Sequence, residues 1–551
     1  MWKVRRAGKV KGTVSNPPSK SVTPPHPKGL LARSSAVAVA SGILMSRLLG
    51  LVRDRVFAHY LGNSDIADAF RAAFRIPNFL QNLFGEGVLS ASFIPVYARL
   101  RAEERNEEAS ELAEAIFAIL VLVTSVLVLV GVFAAPLLSD VIAAGFDGEK
   151  RALTIRLVRI LFPGAALLVF YSWCLGVLNS HRKFLLSYAA PVVWNVTMIA
   201  AFLWDDGRQG QVHLAIVIAW ASVIGSGLQF AVLLPAVLRL LRPLVLRLRL
   251  RDNSVRTVVR NFFPVFFGRG VVQVSAFLDS MIASFLPTSA VSALAYAQTL
   301  NSLPVSLFGM AVSAAELPAM SSALGSSEQV GGVLRERLAQ GLKNIAFFVV
   351  PSAVAFLILG DVIVAAIYRT GQFTAKDVTL VWSVLAGSAV GLLASTSGRL
   401  YASAFYALRD TRTPLIFAVI RVVLTVALGY FFALPLPKLL GVDRLWGVAG
   451  LTFSAGLAGW VEFVLLRREL HRRIGAVPSQ RSRTAKLWGA AVLAALIGYG
   501  AKRLLPIPPG HLSALTVGAI VLPLFGVLYL VFCRLLGIAA PSSLQRLFRR
   551  A

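Results

Sequence analysis

From residue 34 to residue 538 the chain is a succession of apolar runs, each at least about 18 residues long, enough to cross the hydrocarbon of a bilayer as a helix. A peptide group in hydrocarbon finds no water to bond, so a run of this kind must satisfy its own backbone and fold as helix. The runs predict fourteen spans. Twelve lie at 34–60, 66–97, 111–138, 152–178, 187–204, 211–239, 257–286, 289–322, 338–367, 377–407, 414–434 and 445–467, and two more at 485–504 and 512–538. The expected fold is therefore an all-α integral membrane protein. Composition agrees: of 551 residues 57% are hydrophobic and 15% charged, against about 45–50% and about 25% in soluble domains.

A formal charge of +29 would suit a nucleic-acid binder, but the Lys and Arg residues gather in alternate loops, the pattern that fixes membrane orientation. RLLRPLVLRLRLRDNSVRTVVR (239–260), HRK (181–183), LRDTR (408–412) and RRELHRRIGAVPSQRSRTAK (467–486) fall on one side, which places both termini in the cytoplasm and leaves no reason to invoke nucleic acid. Residues 1–33, basic and rich in proline, cannot bury a core and read as a disordered extension. They do not read as a cleaved signal, because the first apolar run continues into a full span. Cys174 and Cys533 stand alone in separate spans and support neither a disulfide framework nor a thiolate metal site.

The chain resembles itself at an offset near 225 residues. NLFGEGVLSASFIP (82–95) matches SLFGMAVSAAELP (306–318), RDRVFAHYLG matches LDSMIASFLP, and VLNSHRKFLLS matches FYALRDTRTPL. Six spans per half implies two repeats of the same orientation about a central cavity. The expected organisation is an N-lobe at 34–240, a basic linker at 241–256, a C-lobe at 257–470, a loop at 471–484 and two extra spans with a tail at 485–551.

Charge inside these spans is the strongest pointer to function, since an arginine at mid-membrane costs about 2.5–3.5 kcal/mol on insertion scales. In the second span Asp68, Arg71, Arg75, Asn78, Asn82 and Glu86 recur every three or four residues and share one helical face, with Pro77 opposite as a candidate kink. In the eighth, Gln298, Asn301, Ser302, Gly309, Ser313 and Glu316 do the same with less charge. The first span holds Ser46, Arg47, Arg53, Asp54 and Arg55; Arg47 and Arg53 diverge by about 120° on an ideal helix, so the helix bends near Gly50 or only one faces a ligand. Asp54 reads as an ion-pair partner and Arg55 as an interface anchor. With Arg269 in the seventh span the excess is cationic, and guanidinium forks suit phosphate. Arg399 and Arg421 read as extending that field or as structural ion pairs. No P-loop, metal-ligand spacing or nucleophile elbow occurs, so the chain reads as a transporter without a cofactor, driven by its substrate gradient, membrane potential or a monovalent cation.

SRLLGLVRD, ADAFRAAFRIPNFLQNLFGEGVLSASFIPVYA and YALRDTRTP resemble the MurJ (MviN) family, lipid II flippases of bacterial cell-wall synthesis within the MOP exporter superfamily. The resemblance covers all fourteen spans. It implies two lobes in a V around a cationic cavity, a tail groove formed by the last two spans, and outward passage of undecaprenyl-pyrophosphoryl disaccharide pentapeptide by alternating access across the bacterial inner membrane, with cell-wall synthesis proteins as partners. Carried over, the family's functional positions fall on Ser46, Arg47, Arg53, Asp68, Arg75 and Asn78, with Asp54 and Glu86 beside them. Two cationic positions of the family are neutral here, at Gln81 and at the pair Gln298–Thr299, and Arg269 or Arg71 would restore the charge. The family's sodium site falls in helices that here hold Asp279, Asp410 and Thr425, with no metal-ligand set assigned. The alternatives are a flippase for another polyprenyl-pyrophosphate-linked oligosaccharide, a drug exporter, a membrane glycosyltransferase, which the short outer loops disfavour, or a non-transporting scaffold.

Overall fold

Every peptide group within a bilayer must find its partner inside its own segment, and the computed structural model of this protein follows that rule. It describes residues 29–84, 86–181, 183–241, 247–249, 251–321, 327–478, 480–504 and 511–539, and among them there is no strand. The N-lobe comprises α1 (Gly29–Leu61), α2 (Asp65–Phe84), α3 (Glu86–Ser92), α4 (Ile94–Ala102), α5 (Asn106–Phe133), α6 (Ala135–Ile142), α7 (Gly148–Ser180), α8 (Phe184–Asp205) and α9 (Gln211–Leu238). The C-lobe follows as α10 (Asn253–Ser284), α11 (Ala290–Pro304), a π-helical turn (Val305–Met310), α12 (Ala311–Ser321), α13 (Ser327–Ile358), α14 (Gly360–Tyr368), α15 (Ala375–Ala407), α16 (Arg412–Ala433), α17 (Pro435–Leu439) and α18 (Gly447–Ile474). Two further helices, α19 (Arg481–Leu504) and α20 (His511–Leu535), pack against α13 and α14. Most of the N-terminal extension and the C-terminal tail lie outside the described residues.

Each of the fourteen expected spans coincides with a helix or with a helix in two or three pieces. Nine helices among the described residues are long and apolar enough to cross a membrane; α2 falls outside that set because Asp65, Asp68, Arg71 and Arg75 lie on it. Pro77 does not interrupt its helix: α2 runs through it to Phe84, and the second span breaks instead into α3 and α4 around Phe93. The eighth span also departs from uniform helix. Pro304 lacks an N–H and crowds the preceding turn, and the chain widens directly after it into the π-helical turn.

The hydrophobic core is shared at one end of the molecule and divided at the other. Phe57, Phe70 and Phe202 of the N-lobe pack in one cluster with Tyr296, Tyr368 and Phe373 of the C-lobe. Phe93, Tyr97, Phe117 and Trp173 form a separate cluster at the opposite end of the N-lobe. Helix α10 crosses between the two, with Val255 and Val258 buried in the N-lobe cluster and Ile282 and Ala283 in the shared one. The lobes therefore meet along a seam at the C-terminal end of α1 and part toward the end where the basic loops gather.

Within the C-lobe, α15 and α18 come close at paired glycines: a Cβ on Gly391 would stand 2.4 Å from the Gly456 Cα. Close small-residue contact of this kind holds membrane helices together. Gly391→Val is expected to lower stability by about 1–3 kcal/mol through overpacking, read as a lower Tm in detergent, whereas Gly459→Ala, with nothing within 4 Å of its added carbon, leaves the Tm unchanged.

Candidate functional site

Asp54 is 2% exposed, and its carboxylate is surrounded from three helices. Arg53 donates at 2.9 Å and Arg71 of α2 at 3.3 Å. The Thr299 hydroxyl of α11 donates to the other oxygen at 3.1 Å. Removing one partner of a buried set like this costs about 3–5 kcal/mol, because it strands the charge that remains. Each arginine also lies over a ring. Arg71 sits 4.2 Å from the Phe57 centroid and 5.1 Å from that of Tyr296, while Arg53 lies 4.8 Å from that of Trp194 and donates to the Asn195 amide oxygen at 3.2 Å.

This geometry resolves the divergence of the two arginines on α1. The helix is continuous through Gly50, and Arg53 points sideways toward Trp194 and Asn195 of α8. Arg47 stands two turns before Asp54 on the same stripe, about 10 Å along the axis, where it is exposed and makes no hydrogen bond or ion pair among the described residues. Arg55 is tied to the C-lobe. Its guanidinium donates to the Ala366 and Ile367 carbonyls at 2.7 and 2.6 Å, where the end of α14 leaves acceptors unpaired and favours a cation.

Beyond Asp54 the seam is closed by Asp68, 1% exposed at the start of α2. It accepts from Lys150 Nζ at 2.8 Å, from the Ser289 and Ser292 backbone amides at 3.0 and 2.7 Å, and from the Ser292 hydroxyl at 2.6 Å. Lys150 also pairs with Asp65 at 2.7 Å. The Tyr296 hydroxyl donates to the Gly62 carbonyl at 2.7 Å, and the Gln372 amide donates to that of His59 at 2.8 Å. Asp68 thus latches one lobe to the N-terminus of a helix in the other, and in this conformation it offers no oxygen to a ligand.

Burial along α2 falls away steadily from that latch. Asp68 is enclosed, Arg71 is covered by rings, and Arg75 is half-buried with a 3.4 Å bond to the Gln298 amide oxygen. Asn78 and Asn82 are exposed, with Gln81 half-buried beside them. The stripe is therefore one wall of a wedge, tight at the seam and open toward the basic end. Helix α11 is the facing wall and is two-sided. Gln298, Thr299 and Ser302 face one way, while Leu300, Leu303 and Pro304 on the opposite face line an apolar groove of about 480 Å³ closed by Phe356, Phe525 and Tyr529.

Past the π-helical turn the eighth-span stripe leaves this wall. Gly309 packs against Thr396, Ser313 is buried, and Glu316 faces Arg337 at 3.8 Å within the C-lobe. Uniform 100° spacing cannot anticipate that rotation, because a π turn inserts a residue into the period. Thr425 is buried in α16, and Asp279 has Arg75 and Arg421 as its charged neighbours. Asp410 lies just before the N-terminus of α16, roughly 22 Å from Thr425 at 1.5 Å per residue. There hydrogen bonds from the Thr413 hydroxyl and amide, with Arg473 beside them, hold its carboxyl well below the usual range. These three do not form one site, and no cluster of metal-ligating side chains occurs among the described residues. Arg421 pairs with Glu462 at 3.4 Å. Ser46 is half-buried; the Glu86 and Arg269 side chains lie outside the described residues. Sequence reasoning missed Lys150, Trp194, Asn195, Ser289 and Ser292, which lie in ordinary-looking segments and gain their roles only through tertiary contact.

The family model for lipid II flippase MurJ matches residues 57–512. A probable lipid II flippase MurJ of Bdellovibrio bacteriovorus is 33% identical over 439 residues, spanning 78% of this chain and 80% of its own. The lipid II flippase MurJ of Burkholderia cenocepacia is 32% identical over 451 residues, spanning 80% and 84%. A solved lipid II flippase MurJ in an inward closed conformation superposes with a TM-score of 0.73 at 24% identity, covering 91% of this chain and 99% of that one. An inward-facing multidrug resistance MATE transporter of the MOP superfamily gives 0.62 at 18%, covering 79% and 98%; both structures speak to the fold alone. With the family match running through both lobes and two curated relatives above 30% identity over most of their length, the chain belongs to the lipid II flippase MurJ family.

Proposed function

We propose that this chain flips lipid II, the undecaprenyl-pyrophosphate-linked peptidoglycan precursor, from the inner to the outer leaflet of the bacterial inner membrane by alternating access. The observation that carries the reading is the two-sidedness of α11: a polar, arginine-bearing wedge on one side and an apolar groove on the other. A pyrophosphate joined to a polyprenyl chain needs both environments at once, with guanidinium forks for the phosphates and hydrocarbon for the tail. With both termini cytoplasmic, the seam is at the outer end and the wedge opens inward.

In this reading Arg47 and Arg75 receive the pyrophosphate, Asn78 with Ser46 borders it, and Arg53, bonded to Asp54 and Asn195, lends positive charge without a direct contact. Arg47 has no competing partner among the described residues, while Trp194 and Asn195 hold the Arg53 fork at a fixed orientation. Arg71 is a strut, its charge committed to Asp54 and its faces to Phe57 and Tyr296, and it does not restore the charge missing at Gln81 and Thr299. Thr299 completes the Asp54 site, and Gln298 meets Arg75. Return to the inward state leaves cationic charge to move in the field, at about 2.3 kcal/mol per charge per 100 mV, so membrane potential is the proposed drive.

Cells depleted of their own lipid II flippase and supplied with this chain are expected to resume growth and to expose lipid II on the outer face. Arg47→Ala, which takes no partner from Asp54, is expected to cut that exposure at least tenfold, in line with about 1.5–3 kcal/mol for a charged hydrogen bond, at unchanged membrane abundance. Wild-type protein that is abundant yet restores no exposure would move the substrate to another polyprenyl-pyrophosphate-linked oligosaccharide. Arg71→Ala should act differently, lowering the Tm of the purified protein through the stranded Asp54 carboxylate; an unchanged Tm would remove its role as a strut.

A further inference from the structure

At the basic end of the C-lobe a cavity of about 340 Å³ opens between α13, α15, α18 and the start of α19. It lies away from the apolar groove: Leu342 and Ala346 line it from the opposite face of α13 to that carrying Pro351 and Ala355. Its floor is apolar, built from Leu393, Trp460 and Phe463, and its mouth carries the Arg467 and Arg481 guanidiniums. Neither arginine has an ion pair or hydrogen bond among the described residues, although Arg467 is half-buried. The N–H donors of both guanidiniums at the mouth of an apolar slot therefore have no acceptor among the described residues. The cavity adjoins, through Pro478 and Gln480, a second depression edged by Arg335, Glu336, Arg337 and Lys343; among the described residues neither Arg335 nor Lys343 has an ion pair. Arg481 also opens α19, a helix of 24 residues whose first amides favour an anion.

We infer that this cavity is a binding site for an anionic glycerophospholipid of the leaflet at the basic end, its phosphate between Arg467 and Arg481 and an acyl chain along Leu393, Trp460 and Phe463. Basic pockets between membrane helices near the cytoplasmic surface take such headgroups. The apolar floor favours a lipid over a free anion, because a soluble phosphate would gain nothing from it. The site is distinct from the wedge and stands whether or not the substrate assigned there is correct. A lipid here would tie the start of α19 to α13 and α18, and so hold the two extra helices against the C-lobe.

Native mass spectrometry of the full chain in detergent, titrated with dioleoylphosphatidylglycerol, tests this. Arg481→Gln is expected to weaken binding about fivefold and the double variant Arg467→Gln/Arg481→Gln about 25-fold, from about 1 kcal/mol per basic residue. Arg99→Gln, at the exposed basic end of the N-lobe, should leave it unchanged, and millimolar sodium phosphate should not displace the lipid. Equal affinity for dioleoylphosphatidylcholine, displacement by free phosphate, or unchanged binding in the double variant would overturn the site. Should the double variant not fold, the exposed Arg481→Gln alone supplies the same readout.

Discussion

Asp54 accepts from Arg53, Arg71 and Thr299 in a place almost without water, and the remaining architecture of the seam follows from the cost of leaving any of those groups unpaired. The carboxylate sits on α1, one arginine comes from α2 and the hydroxyl from α11, so the satisfied state exists only while N-lobe and C-lobe are together. Stacking of Arg71 between Phe57 and Tyr296 links this polar centre to the shared aromatic core. The seam is thus hydrophobic in bulk and ionic at its centre, and it resists partial opening. Separation takes the Thr299 hydroxyl from Asp54 and the Tyr296 ring from Arg71, while the ion pairs of Asp54 with Arg53 and Arg71 stay within the N-lobe.

The gradient along α2 converts this local constraint into a shape. Asp68 latches the N-terminus of α11, Arg75 meets Gln298 across a narrow gap, and Asn78 and Asn82 are open. One helix face therefore supplies the latch, the strut and the anion-facing residues in order, so movement that relaxes the latch also alters the spacing of the arginines. Coupling through one rigid element that both lobes bias is the physical requirement for alternating access.

Much of this was legible in the sequence. The fourteen apolar runs located helices, and the three-and-four spacing from Asp68 to Asn82 placed the right residues on one face of α2. Asp54 was legible as an ion-pair partner because no other use for a buried aspartate beside an arginine is cheap. What could not be read depended on breaks in periodicity or on distant partners. The π-helical turn after Pro304 rotated Gly309, Ser313 and Glu316 into the C-lobe. The carbonyls that the end of α14 offers to Arg55 could not be foreseen from its place on the first span. Asp68 looked like a wall residue until Lys150 and two serine amides took its oxygens.

The central claim is that the lobes are held together at the seam by Asp54 and Asp68 and part there during transport. Double electron–electron resonance tests it directly, with spin labels at the exposed positions Arg208 and Lys376, one on each lobe at the seam end, in a background where the buried Cys174 and Cys533 are replaced. The account predicts one short-distance population in the unaltered seam and a second, longer one when Asp68→Asn weakens the latch. A distance distribution identical in the two proteins, with and without added lipid II, would contradict it.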